Sequence, residues 1–161
     1  MKKIKKRGFT LIEILMVMGI IALLAAVVIV AINPARQFAQ ARNSQRVSNV
    51  NSILNAVGQN IADHRGVFEC EAAGDLPTSA TIIASEFSGG EDEYDLASCI
   101  TPLYLPATPF DPSAPDAHFT SLSDYDTGYT IFQDPDTGRI TVTAPFAQNA
   151  AELGEEISAT R

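Results

Sequence analysis

Residues 9 to 32 form an almost unbroken apolar run. These 24 residues contain one ionisable side chain, Glu13, and no proline. As an α-helix the run extends roughly 36 Å, which is enough to cross the hydrocarbon core of a bilayer. We therefore predict one membrane-spanning helix over residues 9–32, with lipid as its surroundings in the membrane.

Five of the eleven basic residues precede this run: Lys2, Lys3, Lys5, Lys6 and Arg7. By the positive-inside rule they place the N-terminus in the cytoplasm and the C-terminal body on the other side of the membrane. A secretory signal also begins with basic residues, but its apolar region is shorter. Conventional cleavage near Ala22, Ala25 or Ala26 is therefore the weaker alternative.

The charge of the remaining chain argues against nucleic acid as a direct ligand. Without residues 1–8 the chain has six Arg and no Lys against nineteen Asp and Glu, which changes the formal net charge from −8 to −13. Sequence-independent binding to nucleic acid depends on cationic groups that neutralise phosphates. We expect no direct nucleic-acid partner.

Glu13 is unusual in an apolar helix because a carboxylate inside the bilayer is costly and normally has a partner and a function. One hypothesis is that Glu13 pairs with a cation from another chain. The alternative is that Glu13 lies near the cytoplasmic interface and merely extends its carboxylate to water.

Residues 5 to 13, Lys-Lys-Arg-Gly followed by Phe-Thr-Leu-Ile-Glu, resemble the processing site of type IV prepilins and pseudopilins. The resemblance implies that residues 1–8 are a leader, cleaved between Gly8 and Phe9 by a prepilin peptidase. It also implies N-methylation of Phe9 and pairing of Glu13 with the N-terminal amine of a neighbouring subunit. The partners it implies are the peptidase, other pilin subunits and an inner-membrane assembly platform.

One feature departs from that family. Its members usually have a helix-bending proline near the position of Val30, whereas the first proline here is Pro34. We predict a local bend or break at Asn33–Pro34.

Residues 33–62 are predicted to be an amphipathic continuation of the helix. Apolar side chains recur at intervals of three and four residues, as expected for a helix face that packs on a sheet: Val47, Val50, Leu54, Val57 and Ile61. The three arginines of this segment, Arg36, Arg42 and Arg46, are interpreted as a solvated face, and the alternative is that they pair with acidic surfaces of adjacent subunits.

Residues 63–161 are predicted to be an extracytoplasmic globular domain with a C-terminal β-hairpin. The strands are residues 129–132 and 140–143, and residues 134–138 contain suitable turn residues. The segment from Asn149 onward is interpreted as a short helix or a tail. Together these elements predict an α+β, pilin-like fold in which a long N-terminal helix packs on a small antiparallel β-sheet.

Cys70 and Cys99 both lie in the part predicted to be outside the cytoplasm. An oxidising compartment favours a disulfide between them, and two unpaired core cysteines are the alternative. A structural zinc site is not expected, because neither cysteine has a nearby histidine.

We predict no catalytic site, no metal and no cofactor. His64 and His118 show no metal-ligand spacing, and neither belongs to a nucleophile motif. Calcium at four acidic loop residues is the weaker alternative to solvated side chains, since calcium prefers several oxygen ligands: Asp111, Asp116, Asp124 and Asp126.

The function predicted is a structural subunit of a type IV pilus-like filament in a bacterial inner membrane, with its body periplasmic, or extracellular after assembly. One alternative is a pseudopilin of a type II secretion system, since Pro109-Phe110-Asp111-Pro112 faintly resembles a loop of major pseudopilins. Another is a minor pilin or adhesin that binds a surface or DNA.

Overall fold

The computed structural model describes residues 8–85, 93–148, 154 and 156–161. Residues 1–7 of the predicted leader, which is residues 1–8, lie outside this described part. The chain divides into two compact units, Met1–Phe38 and Ala39–Arg161.

Two helices account for residues 11 to 63. Helix α1 is Leu11–Ile32 and helix α2 is Pro34–Asp63. Between them Asn33 has a left-handed backbone with φ 48°, and its side-chain oxygen accepts a hydrogen bond from the Arg36 N–H at 3.4 Å. Pro34 suits the first position of α2, where its missing N–H costs no helical hydrogen bond. The predicted break at Asn33–Pro34 is confirmed.

The second unit contains a sheet with strands β1 (Thr81–Ala84), β2 (Glu93–Tyr94), β3 (His118–Ser121), β4 (Asp124–Gln133), β5 (Ile140–Ala144) and β6 (Ile157–Thr160). Their order is β2-β1-β4-β5-β6, and β3 pairs with the beginning of β4. All pairs are antiparallel except β1 with β2. A four-residue helix, α3 (Ala97–Ile100), follows β2.

The predicted hairpin is present as β4 and β5, with Thr130 opposite Thr143 and Gln133 opposite Ile140. The Asp134 carboxylate accepts hydrogen bonds from the N–H groups of Asp136 and Thr137, at 2.8 and 3.2 Å. These two bonds stabilise the turn, and they hold the pKa of Asp134 below its ordinary value. The predicted α+β, pilin-like arrangement is confirmed, with one parallel strand pair in its mainly antiparallel sheet.

The core of the second unit lies between one face of α2 and the sheet. Val50, Leu54 and Val57 are buried as the spacing predicted, in one cluster with strand residues such as Tyr129 and Ile131. The prediction fails for Val47, which is 48% exposed. Val47 lines a groove beside β6, where none of the described core residues covers it.

Arg46 also contradicts the sequence-based interpretation, because it is fully buried rather than part of a solvated face. Its Nε donates to Asp111 Oδ2 at 2.7 Å, and its Nη1 donates to Asn43 Oδ1 at 2.7 Å. A buried guanidinium is tolerated only with such partners. One of these partners is the carboxylate of Asp111, interpreted from the sequence as a solvated loop acid or a calcium ligand.

The C-terminal segment also differs from the sequence-based prediction. Residues 157–160 form β6 at the edge of the sheet, where Ser158 pairs with Thr143 and Thr160 with Thr141. The helix-or-tail interpretation is therefore wrong for β6, while residues 149–153 and 155 lie outside the described part. The Ile157 side chain is buried in the core, which ties this strand to the domain.

Candidate processing and assembly site

Gly8, Phe9 and Thr10 precede the first turn of α1 and are not helical. All three residues are exposed, and the Phe9 side chain is 80% exposed. A Cβ placed on Gly8 would meet no atom within 4 Å. In the part of the chain that the structure describes, no helical hydrogen bond and no side chain beyond the immediate neighbours covers the peptide bond between Gly8 and Phe9, so this bond is open to an approaching peptidase.

The start of α1 is defined by Thr10 and Glu13. The Glu13 N–H donates to Thr10 Oγ1 at 3.3 Å, and the Thr10 N–H donates to Glu13 Oε2 at 3.5 Å. This reciprocal pair is a capping box, which satisfies two of the N–H groups that a helix leaves unpaired at its start. It also places a carboxylate at the positive end of the helix dipole.

The capping box brings the Glu13 carboxylate back to Thr10, the residue next to Phe9. Any amine created at Phe9 would thus lie at the same end of the helix as the carboxylate. Sequence reasoning identified Gly8, Phe9 and Glu13 but missed Thr10. The pattern that would have revealed it is Thr-x-x-Glu directly before an apolar run.

The remainder of α1 presents apolar side chains on every side. Residues Leu11–Ala31 form a helix long and apolar enough to cross a membrane. Large side chains such as Leu15, Ile21 and Val28 are exposed in the isolated chain. A surface of this kind is stable only in lipid or among other apolar helices.

In the second unit, Cys70 and Cys99 are joined in a disulfide, with their Cα atoms 5.3 Å apart. The bond connects the loop after α2 to helix α3. Next to Cys70, Asn60 donates to the Glu69 carbonyl and accepts from the Glu69 N–H, both at 3.0 Å. The loop that leaves α2 is therefore fixed at two consecutive residues.

The four acidic loop residues do not form one ligand set, although Asp116, Asp124 and Asp126 all lie near His118. Asp111 pairs with Arg46, Asp124 accepts from His118 Nε2 at 3.1 Å, and Asp126 accepts from the Gly128 N–H at 2.8 Å. Within the described residues, no group of three or more His, Cys, Asp or Glu is placed to hold a metal ion.

The two histidines lie in separate parts of the second unit. His64 follows α2, where its Nδ1 lies 2.7 Å from the Asn60 carbonyl. His118 begins β3 between two acceptors, the Asp116 carbonyl and the Asp124 carboxylate. These contacts raise the pKa of His118 above its ordinary value of 6.5, the Asp116 carbonyl most strongly.

Residues 3–29 match a family model described as the prokaryotic N-terminal methylation motif. This motif is the signature of type IV pilins and pseudopilins, so the resemblance drawn from residues 5 to 13 is confirmed. The matched residues include Gly8, Phe9, Thr10 and Glu13. No curated protein and no solved structure matches the chain.

Proposed function

We propose that this chain is a structural subunit of a type IV pilus-like filament, not an enzyme. The observation that carries the proposal is the methylation motif at residues 3–29, which coincides with an open Gly8–Phe9 bond and an apolar helix. A prepilin peptidase on the cytoplasmic side would remove residues 1–8. N-methylation of Phe9 would follow.

Assembly would then depend on Glu13. In an apolar bundle of α1 helices from several subunits, the Glu13 carboxylate and the Phe9 amine of a neighbouring subunit neutralise each other's charge. Breaking a buried ion pair by removing one partner typically costs about 3–5 kcal/mol, so the pair sets the register between subunits. Before assembly helix α1 lies in the bacterial inner membrane, with its N-terminus on the cytoplasmic side.

The body would then lie in the periplasm, or outside the cell once a filament forms. An oxidising compartment is consistent with the Cys70–Cys99 disulfide. The further partner we propose is an inner-membrane assembly platform.

One observation favours the pseudopilin alternative, namely the loop Pro109-Phe110-Asp111-Pro112 with its faint likeness to major pseudopilins. Asp111 fixes this loop through Arg46 and through its N–H, which donates to the Thr127 carbonyl at 2.8 Å. Deletion of the chain separates the two functions. A pilus subunit is needed for surface fibres, whereas a pseudopilin is needed for protein export.

The processing step is tested by mass spectrometry of the membrane-associated protein. We expect a mature chain that begins with N-methylated Phe9. Functional protein that retains the lysine-rich leader, or begins at another residue, would refute the proposal.

The assembly step is tested with Glu13→Gln, which keeps the shape of the side chain and removes its charge. We expect normal membrane insertion and strongly reduced incorporation into filaments. Glu69→Gln, an exposed glutamate in the second unit, is the matched control and should assemble normally. Normal incorporation of Glu13→Gln would contradict the charge-pairing mechanism.

A further inference from the structure

A groove of about 620 Å³ opens at the end of the sheet where β4 finishes and β5 begins. Its lining is mostly apolar and comes from α2, the loop after α2, and the first residue of β5: Leu54, Val57, Ile61, Phe68, Leu76 and Ile140. A concave, largely apolar surface of this size with a few polar groups is the usual form of a binding site.

Arg161 provides a positive charge in the groove. Its backbone is fixed to β5, because its N–H donates to the Ile140 carbonyl and its carbonyl accepts from the Ile140 N–H. Its guanidinium lies over Gly58 of α2, with Nη1 3.8 Å from the position of an added Cβ. In the described part of the chain, no carboxylate lies within ion-pair distance of this guanidinium.

Gly58 keeps the floor of this groove open. A glycine inside a helix costs about 1 kcal/mol relative to alanine. Among the described residues, and apart from the backbone of α2 itself, the Arg161 guanidinium nitrogen is the one atom within 4 Å of an added Cβ, so no described core packing requires a glycine here. As far as the described residues show, the groove thus combines apolar walls, an open floor and a cation without an acidic partner.

The opposite end of β4 has the complementary chemistry. The turn between β3 and β4 presents Leu122, which is 39% exposed, followed by Asp124. Asp116 and Asp126 also lie at this end, next to His118. Asp124 uses Oδ1 for its bond to His118, and Oδ2 has no protein partner in the described part of the chain.

Strand β4 has ten residues, so it separates the apolar–acidic turn from the groove by roughly 33 Å. Two different, complementary surfaces at opposite ends of one subunit form a heterologous contact. Such a contact generates a closed ring or, when the rotation between successive copies does not close, an open helical filament.

We propose that the groove receives the Leu122–Asp124 turn of a second copy of this chain standing in the same orientation. Leu122 enters between the apolar walls, and Asp124 meets the Arg161 guanidinium. The inference rests on the proposed filament function, which requires copies in one orientation. The groove end also has acidic residues, Asp75 in the lining and Asp134 nearby in the turn, so the contact depends on placing Asp124 specifically at Arg161.

The test is a cysteine cross-link in the full-length chain. Leu122→Cys is combined with Thr78→Cys, an exposed residue of the groove lining. The two native cysteines are already paired, so the engineered thiols react with each other. After oxidation of assembled material, we expect a ladder of dimers, trimers and longer chains, because a heterologous contact propagates.

The matched control combines Leu103→Cys with Thr78→Cys. Leu103 is another exposed leucine, at 77% exposure, and lies outside the β3–β4 turn. We expect at least tenfold less cross-linked product from this pair. Equal ladders from both pairs, or monomer alone from Leu122→Cys with Thr78→Cys in intact filaments, would overturn the inference.

A second pair of variants avoids cysteine chemistry. Gly58→Leu fills the groove floor and should lower filament yield roughly tenfold, while Gly58→Ala adds a Cβ at ordinary contact distance and should assemble normally. Wild-type yield from Gly58→Leu would refute the docking contact. If the wild-type chain forms no filaments at all, the proposed function itself fails, and the docking inference fails with it.

Discussion

Arg46 and Asp111 form a buried, bidentate ion pair, with Nε–Oδ2 at 2.7 Å and Nη2–Oδ1 at 3.1 Å. Because Asp111 also donates its N–H to the Thr127 carbonyl, the pair ties helix α2 to strand β4 through one loop. Asp111 Oδ1 further accepts from the N–H groups of Ser113 and Ala114, at 2.8 and 2.9 Å. The Asp111 carboxylate is therefore a main contributor to the position of this loop.

Asp111→Ala should lower the free energy of unfolding of the unit Ala39–Arg161 by about 3–5 kcal/mol, since it leaves the Arg46 guanidinium buried without a counter-charge. Urea denaturation measures this change. Arg139→Met, at an exposed arginine, is the control and should change it by less than about 0.5 kcal/mol. A loss below about 1 kcal/mol for Asp111→Ala would contradict the role given to the pair.

Gly128 lies where the same loop crosses β4. It has φ +68°, and an added Cβ would lie 2.8 Å from the Ala114 Cβ and 3.2 Å from the Asp111 Cβ. Gly128→Ala should therefore cost about 2–4 kcal/mol of unfolding free energy, from backbone strain and overpacking together. Gly138→Ala is matched in φ, at +71°, but has open space around it, so it should cost only about 1 kcal/mol. Equal losses, read from thermal or urea unfolding, would count against the steric argument.

His118 should titrate above pH 6.5. The Asp116 carbonyl and the Asp124 carboxylate favour its protonated form, so the pKa is higher in the folded state than in the unfolded state. The stability that His118 contributes is thus complete below about pH 6.5 and is lost as the pH rises through the folded pKa. An NMR titration of the His118 ring measures this pKa, and Asp124→Asn should lower it. A His118 pKa below 6.5 in the wild-type domain would refute the prediction.

Reduction of the Cys70–Cys99 disulfide should destabilise the second unit. The two residues are 29 apart in sequence, and closing a loop of this length contributes roughly 3–4 kcal/mol in the chain-entropy model. Urea denaturation with and without reductant measures the effect. The double variant Cys70→Ala, Cys99→Ala should match the reduced protein and be insensitive to reductant. Unchanged stability on reduction would show that the loop is held by its other contacts.

Thr10→Val should weaken the first turn of α1, because it removes the side-chain oxygen that accepts from the Glu13 N–H. Loss of an N-cap residue typically costs about 0.5–2 kcal/mol. Amide hydrogen exchange in micelles should become roughly tenfold faster at Glu13, while Thr10→Ser should exchange like the wild type. Unchanged exchange in Thr10→Val would mean that the capping box does not hold the start of the helix.

Much of the fold is predictable because the residues that specify each element lie close together in the sequence. The apolar run, the break at Asn33–Pro34 and the β4–β5 hairpin each depend on residues that are close in sequence. The Arg46–Asp111 pair joins residues 65 apart, and nothing beside Arg46 distinguishes it from the exposed Arg36. Strand β6 was missed because Ile-Ser-Ala-Thr has little strand character alone and becomes a strand through pairing with β5.

The candidate site likewise has one part that local sequence patterns predict and one part that they do not. Gly8, Phe9 and Glu13 are identified by one short pattern, and so is Thr10 once the capping pattern is considered. The groove around Arg161 needs α2, β4 and β5 together, which sequence periodicity does not supply.

The capping box has a consequence for the proposed maturation, because Thr10 and Glu13 both lie on the C-terminal side of the Gly8–Phe9 bond. Removing the leader takes away five cationic side chains without removing either residue that starts the helix. Peptidase action would therefore change the charge at the start of α1 and leave its secondary structure as it was. A subunit already embedded in lipid would then not need to refold to become competent for polymerisation.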